Sequence, residues 1–240
     1  MAKDNFKIIS LKDQEYKKWI LEKHYAQRIC SISYAFGLVD NDYNILGVCT
    51  FGYPPNYNYN NGACVFKNTK VLTLELNRLV LNKTNEKNLL SYFVSNSLKK
   101  LPKPSVIVSY ADPNNNHHGY IYQATNWLYT WESTPKKRYT FNDGSTFDIR
   151  RGIHNKGKIV KIEDLKPTFR YIYINASKKK KKEMIKDLKL KIYKYPKGEN
   201  KRYDCIDIKM KAQPTLFDLW KENLINKKEN IWLKLQIMVV

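Results

Sequence analysis

Ser109, Tyr110, Ala111, Asp112 and Pro113 close a short apolar run, Val106 to Tyr110, and open the turn-rich stretch ADPNNNHHG. A strand end that gives way to a loop is where open α/β sheets seat ligands. A carboxylate there can take up a proton while a bond forms beside it, or it can cap its own turn, as Asp before Pro commonly does. A second polar group falls on KVLTLELNRLVL, Lys70 to Leu81, whose period-2 alternation predicts a central strand with Glu75 and Asn77 on one face. Polar groups inside a sheet are costly unless paired. Glu75 is therefore either a partner for Arg28 or Arg78 or a catalytic base. Ser109 can orient a substrate or carry an intermediate, but no Ser-His-Asp order supports a hydrolase. His24, His117, His118 and His154 are too scattered to define a metal site, and none is expected. Cys30, Cys49, Cys64 and Cys205 form no CxxC pair and read as reduced, mostly buried small hydrophobes.

The elements that must position these residues follow from periodicity. Leu11 to His24 places Tyr16, Trp19, Ile20 and Lys23 on one helical face. Ile32 to Val39 and Ile45 to Phe51 read as hairpin strands, followed by a loop from Pro54 to Gly62. The long strand leads to a helix over Asn88 to Leu98, ended by Pro102 and Pro104. After the short strand Val106 to Tyr110, a helix is expected over Tyr120 to Trp131. A hairpin of Arg138 to Phe141 and Thr146 to Ile149 turns on Asn142-Asp143-Gly144-Ser145. The order predicts a mixed α/β sheet.

The 240 residues carry 43 Lys+Arg against 22 Asp+Glu, a net charge of +21, and 42% are apolar. That composition excludes a wholly disordered chain and points to a polyanionic partner. Residues 1–120 net +6 and residues 121–240 net +15; Ser177 to Arg202 alone holds 12 basic and 3 acidic residues. The run Lys178, Lys179, Lys180, Lys181 and Lys182 is either a solvated face or a phosphate-binding one, and the surrounding excess favours phosphate. With neither a membrane-length apolar run nor an apolar leader, a cytoplasmic protein is expected. The organisation expected is a core over 1–155, a basic α/β extension over 156–213 that packs on the core and faces the polyanion, and a tail over 214–240.

Three stretches resemble the Mom family of phage DNA-modification proteins: HYAQR and SISYAFG within residues 24–37, LELNRLVLN at 74–82, and KKLPKPSVIVSYADPNNNHHGYIYQATNWLYT at 99–130. The resemblance runs in order over roughly residues 10–150. It implies an α/β, GNAT-like fold, a mixed central sheet flanked by helices, and an enzyme of the host cytoplasm. That enzyme would alter the exocyclic amine of adenine in double-stranded DNA, adding a carbamoylmethyl-type group that protects against restriction. In that frame Tyr34 and Tyr122, with Tyr129, hold a flipped base, and Gln123 and Asn126 read its edge from one helix. Asp112 accepts the amine protons. Ser109 and Glu75, with Asn77 on the face of Glu75, position donor or intermediate. Arg28 and Arg78 neutralise developing charge, His117 and His118 contact phosphate or base, and the lysine run grips the backbone. GNAT enzymes hold coenzyme A pyrophosphate on a glycine loop after the long strand. Here the junction reads LNKTNEKNLL, with no glycine. The donor is thus left open between acetyl-CoA or another acyl-CoA and an aminoacyl donor such as glycyl-tRNA. Two other readings compete: an acetyl-CoA-dependent N-acetyltransferase acting on a protein or small amine, and a non-catalytic DNA-binding protein.

Overall fold

The structure, a computed structural model, describes residues 5–55, 61–149 and 157–196. Strands β1 (Lys7–Ser10), β2 (Tyr34–Val39), β3 (Ile45–Gly52), β4 (Leu72–Leu81), β5 (Ser105–Ala111) and β6 (Leu128–Glu132) are joined by β7 (Lys136–Phe141), β8 (Thr146–Ile149), β9 (Ile159–Leu165) and β10 (Phe169–Asn175). The helices are α1 (Asp13–Lys23), α2 (Leu89–Lys99), α3 (Tyr120–Ala124) and α4 (Lys178–Lys186). Seven strands form the central sheet in the order β1-β2-β3-β4-β5-β10-β6, and β8-β7-β9 form a smaller one. This is the mixed α/β class the sequence predicts.

The described residues fall into two compact units, one drawn from 5–51 and 78–87, the other from 52–77 and 88–196. In the first, α1 turns Tyr16, Trp19 and Ile20 onto Leu11, Ala35, Val39, Ile45, Val48 and Val80. Burying a side chain of that size contributes about 1.5–3 kcal/mol, so this stripe fixes the helix more firmly than its propensity could. Lys23, read on the same face, instead lays its ammonium 3.3 Å from the Trp19 ring centroid and donates to Asn82 Oδ1 at 2.7 Å.

In the second unit Val65, Phe66, Val71, Val106, Val108, Ile172, Ile174 and Met184 form the core. β5 and β10 pair antiparallel from Ser105↔Asn175 to Ala111↔Phe169. The chain after residue 155, expected as an extension, thus lends β10 to the central sheet itself. α4 is clasped to the 66–69 turn: the Asp187 carboxylate accepts from Asn68 N at 3.1 Å and Thr69 N at 2.6 Å.

One predicted element needs correction. The helix expected over Tyr120 to Trp131 ends at Ala124. The Thr125 hydroxyl donates to the Ile121 carbonyl at 2.7 Å, and Asn126 turns into the left-handed region at φ 61°. The chain then enters β6, where LYTWE can pair with β10, a long-range partner that local periodicity does not reveal. β1 and β9 carry no strong local signal and appear only in the structure, where they pair antiparallel with β2 and β7. His154, Cys205 and the tail over 214–240 lie outside the described residues.

Candidate functional site

β4 and β5 run parallel from Leu72↔Ser105 to Glu75↔Val108, and their ladder ends there. Ser109 is the first β5 residue past the last rung, fully buried. Its Oγ lies 2.8 Å from the Leu76 carbonyl and 2.7 Å from the Tyr122 hydroxyl. A carbonyl can only accept, so the single Ser109 proton goes to Leu76, and the Tyr122 O–H must donate to Ser109. The two hydroxyls form a directed chain at the point where the strands part. Such chains are worth most where water is excluded.

Tyr122 reaches this point because the loop folds back on itself. Asp112 caps a short 3-10 turn, Pro113–Asn115, accepting from Asn114 N at 2.9 Å and Nδ2 at 2.8 Å, and from Asn115 Nδ2 at 2.9 Å. Asn116 then turns at φ 54° and Gly119 at φ 82° into α3. A Cβ on Gly119 would stand 2.4–2.8 Å from the Tyr171 ring, so both the positive φ and the close approach demand glycine. The Tyr122 ring is walled by Trp127 at 5.0 Å, Tyr171 at 5.1 Å and, edge-on, His117 at 5.7 Å between ring centres. Tyr171, buried opposite Ser109, donates to the His118 carbonyl at 2.9 Å and accepts from Gln123 Nε2 at 3.2 Å.

The surroundings shift the titrating groups. Burial pushes His117 down to about 4, partly offset by Asp112, so the imidazole is neutral at pH 7. Burial also pushes Tyr171 up to about 12, keeping it a neutral donor, and raises Tyr129. Among the described residues no group of three or more His, Cys, Asp or Glu could hold a metal ion.

The structure gathers Ser109, Asp112, His117, His118, Tyr122 and Gln123 around one loop and helix of the second unit. Asp112 also lines a shallow surface depression with Asn114, Ser133, Thr134, Lys136, Lys166 and Thr168. Glu75 holds the last parallel rung and Asn77 follows it on β4, both half-buried. Tyr129 is buried on β6, with its ring 5.4 Å from Tyr171. Asn126 lies beyond α3 and is exposed, so it does not share a helix with Gln123 as expected. Tyr34, Arg28 and Arg78 belong to the first unit; there the Arg78 guanidinium donates to the Arg28 carbonyl at 2.7 and 3.1 Å. Lys178–Lys182 open α4, and all but Lys181 are exposed. Two members of the aromatic wall were not predicted as site residues. Trp127 falls within the helix expected over Tyr120 to Trp131, and Tyr171 within the extension expected over 156–213. The RYIYI alternation, which puts Tyr171 and Tyr173 on one face, is the signal that could have found the second.

Fold and site define a mixed α/β protein whose buried polar chemistry collects where its parallel β4–β5 pair separates. The chain belongs to the Mom protein family, whose model matches residues 5–197. No curated protein matches it. Among solved structures it is similar to the spermidine/spermine N-acetyltransferase SpeG from Vibrio cholerae in complex with manganese ions, at 9% identity and TM-score 0.44, covering 76% of this chain and 99% of that one. It is also similar to NAA60 from Arabidopsis thaliana in complex with a bisubstrate analogue, at 9% identity and TM-score 0.47, covering 72% and 98%.

Proposed function

We propose that the chain is a GNAT-like transferase that modifies the exocyclic amine of adenine in double-stranded DNA. The observation that carries this reading is the Mom family match, which spans all the elements that build the site. Adenine's amine lone pair is delocalised into the ring, so bond formation needs a group to accept the departing proton. Asp112 is given that role. The three amide donors on its oxygens hold it in place, and it lines the surface depression.

Ser109 and Tyr122 sit one layer deeper. Tyr122 is buried, with protein rings against it, so its contribution is to orient Ser109 and the loop. Glu75, at the end of the parallel ladder, and Asn77 position the donor. Gln123 and Asn126 border the base, His117 and His118 line its approach, and Tyr129, buried like Tyr122, packs against Tyr171 behind it. The lysines at the start of α4 support a phosphate contact. Cations are disfavoured at a helix N-terminus, so five in succession concentrate a potential that a polyanion would relieve.

The donor site does not fit the coenzyme A pattern. The β4–α2 junction has no glycine, and the Glu86 backbone N–H is turned onto Thr84 Oγ1 at 3.1 Å. A diphosphate cradle needs such amides free and close, so no step is routed through coenzyme A. An aminoacyl donor remains compatible with this junction. The test is to express the chain in cells, digest their DNA and weigh the deoxyadenosine. A mass increase that disappears in Asp112→Ala supports the reading; unmodified deoxyadenosine from a folded, expressed chain overturns it.

A further inference from the structure

An exposed tryptophan on strained backbone stands outside the chemistry assigned above. Trp131, in β6, adopts φ +82°, a region that bulky L residues rarely enter. Yet 52% of it faces solvent, so burial does not offset the strain. The cause is a bulge: between Tyr171↔Tyr129 and Phe169↔Glu132 the ladder shifts register, and Thr130 with Trp131 opposes Arg170 alone. Arg170 pins the bulge, donating from Nε to Thr130 Oγ1 at 2.9 Å and from Nη2 to the Thr130 carbonyl at 2.8 Å. Strain that the surroundings hold in place marks a functional position.

What the bulge presents is a pair of rings. Trp131 lies 4.6 Å from Tyr193 at an interplanar angle of 38°. Tyr193 is anchored by its backbone N–H, which donates to the Tyr129 carbonyl at 3.0 Å. The Lys191 ammonium lies 5.3 Å from the Tyr193 ring centre, and Lys194 is exposed beside it. The exposed Trp131 ring, backed by the tilted Tyr193 ring and flanked by cations, suits an unpaired nucleobase and its phosphates, because every base has a π-face to stack and a phosphate to neutralise.

We propose that Trp131, backed by Tyr193, is a platform that stacks an unpaired base of a DNA strand. This rests on the nucleic-acid reading of the chain, but not on the chemistry at Asp112. The test uses fluorescence anisotropy with two labelled duplexes, one fully paired and one with a single central mismatch. Trp131→Gly relieves the positive φ and removes the ring; it should weaken binding of the mismatched duplex roughly 5- to 150-fold and leave the paired duplex unchanged. Trp131→Phe keeps a ring and should retain most of the affinity. A melting temperature for the glycine variant near that of the parent shows that it folds.

Equal binding of the mismatched duplex by parent and glycine variant overturns the proposal, as does equal weakening of both duplexes. Deoxyadenosine mass separates this from the enzymatic reading. Trp131-dependent binding with unmodified DNA keeps the platform and removes the chemistry, whereas modified DNA with Trp131-independent binding does the reverse.

Discussion

The Ser109–Tyr122 hydroxyl pair permits a quantitative test of whether the site is one coupled unit. Ser109→Ala removes the proton donated to the Leu76 carbonyl, past the end of the parallel ladder, and takes from Tyr122 its acceptor at 2.7 Å. Both residues are buried, at 1% and 4% exposure. Leaving a buried polar group without its partner costs about 1–3 kcal/mol. Tyr122→Phe removes a single hydrogen bond while Ser109 keeps its bond to Leu76, a loss of about 1 kcal/mol. In the Ser109→Ala background the same tyrosine change removes a hydroxyl that has already lost this partner, so it costs less. The double variant should be less destabilised than the sum of the singles by about 1 kcal/mol, read from urea unfolding followed by circular dichroism. Additivity within about 0.3 kcal/mol would refute the coupling. The same variants, assayed for deoxyadenosine modification below their unfolding temperatures, separate a site role from a purely structural one: if the pair serves the reaction, each loses modification while still folded.

Three further outcomes are expected. His117 titrates near 4 in the folded chain against about 6.5 unfolded, because burial disfavours the imidazolium. Stability should therefore be unaffected above pH 6.5 and decline as pH falls toward 4, by about 3 kcal/mol in all; His117→Gln should flatten that slope in unfolding measured across the range. Gly119→Ala forces an alanine to φ 82° and a methyl against the Tyr171 ring. It should cost about 2–4 kcal/mol and abolish modification; a thermal melt matching the parent would show that the loop is not constrained as described. Donors from Thr69 and Asn68 hold the Asp187 carboxyl below the usual carboxylate range. Its clasp should act above the unfolded carboxyl value and be lost as pH falls through the lowered folded one, so Asp187→Asn should lower the melting temperature at pH 7 and change it least in acid.

Much of the frame was legible from local pattern. Helical spacing of Tyr16, Trp19 and Ile20 set α1, and the alternation from Lys70 to Leu81 set β4, because apolar periodicity reports which face is buried. The strand-to-loop passage at Asp112 was equally readable from its turn formers, and the capping role weighed for that residue is what the structure shows. Lysine crowding after Ser177 was plain from composition, since charge is additive along a chain whatever its fold.

Tertiary pairing decided the rest. Nothing local distinguishes LYTWE from the end of a helix until β10 arrives from some forty residues downstream to pair with it. That same pairing creates the bulge at Trp131. The antiparallel match of β10 with β5 sets Tyr171 opposite Ser109, and the end of the β4–β5 ladder leaves the Leu76 carbonyl for the Ser109 hydroxyl. These contacts depend on register between segments far apart in the chain, which residue order encodes only through the energy of the assembled sheet. Residue types alone determined what chemistry was available and where the charge lay; which hydroxyls meet, and which rings are buried or left facing solvent, was settled by long-range packing.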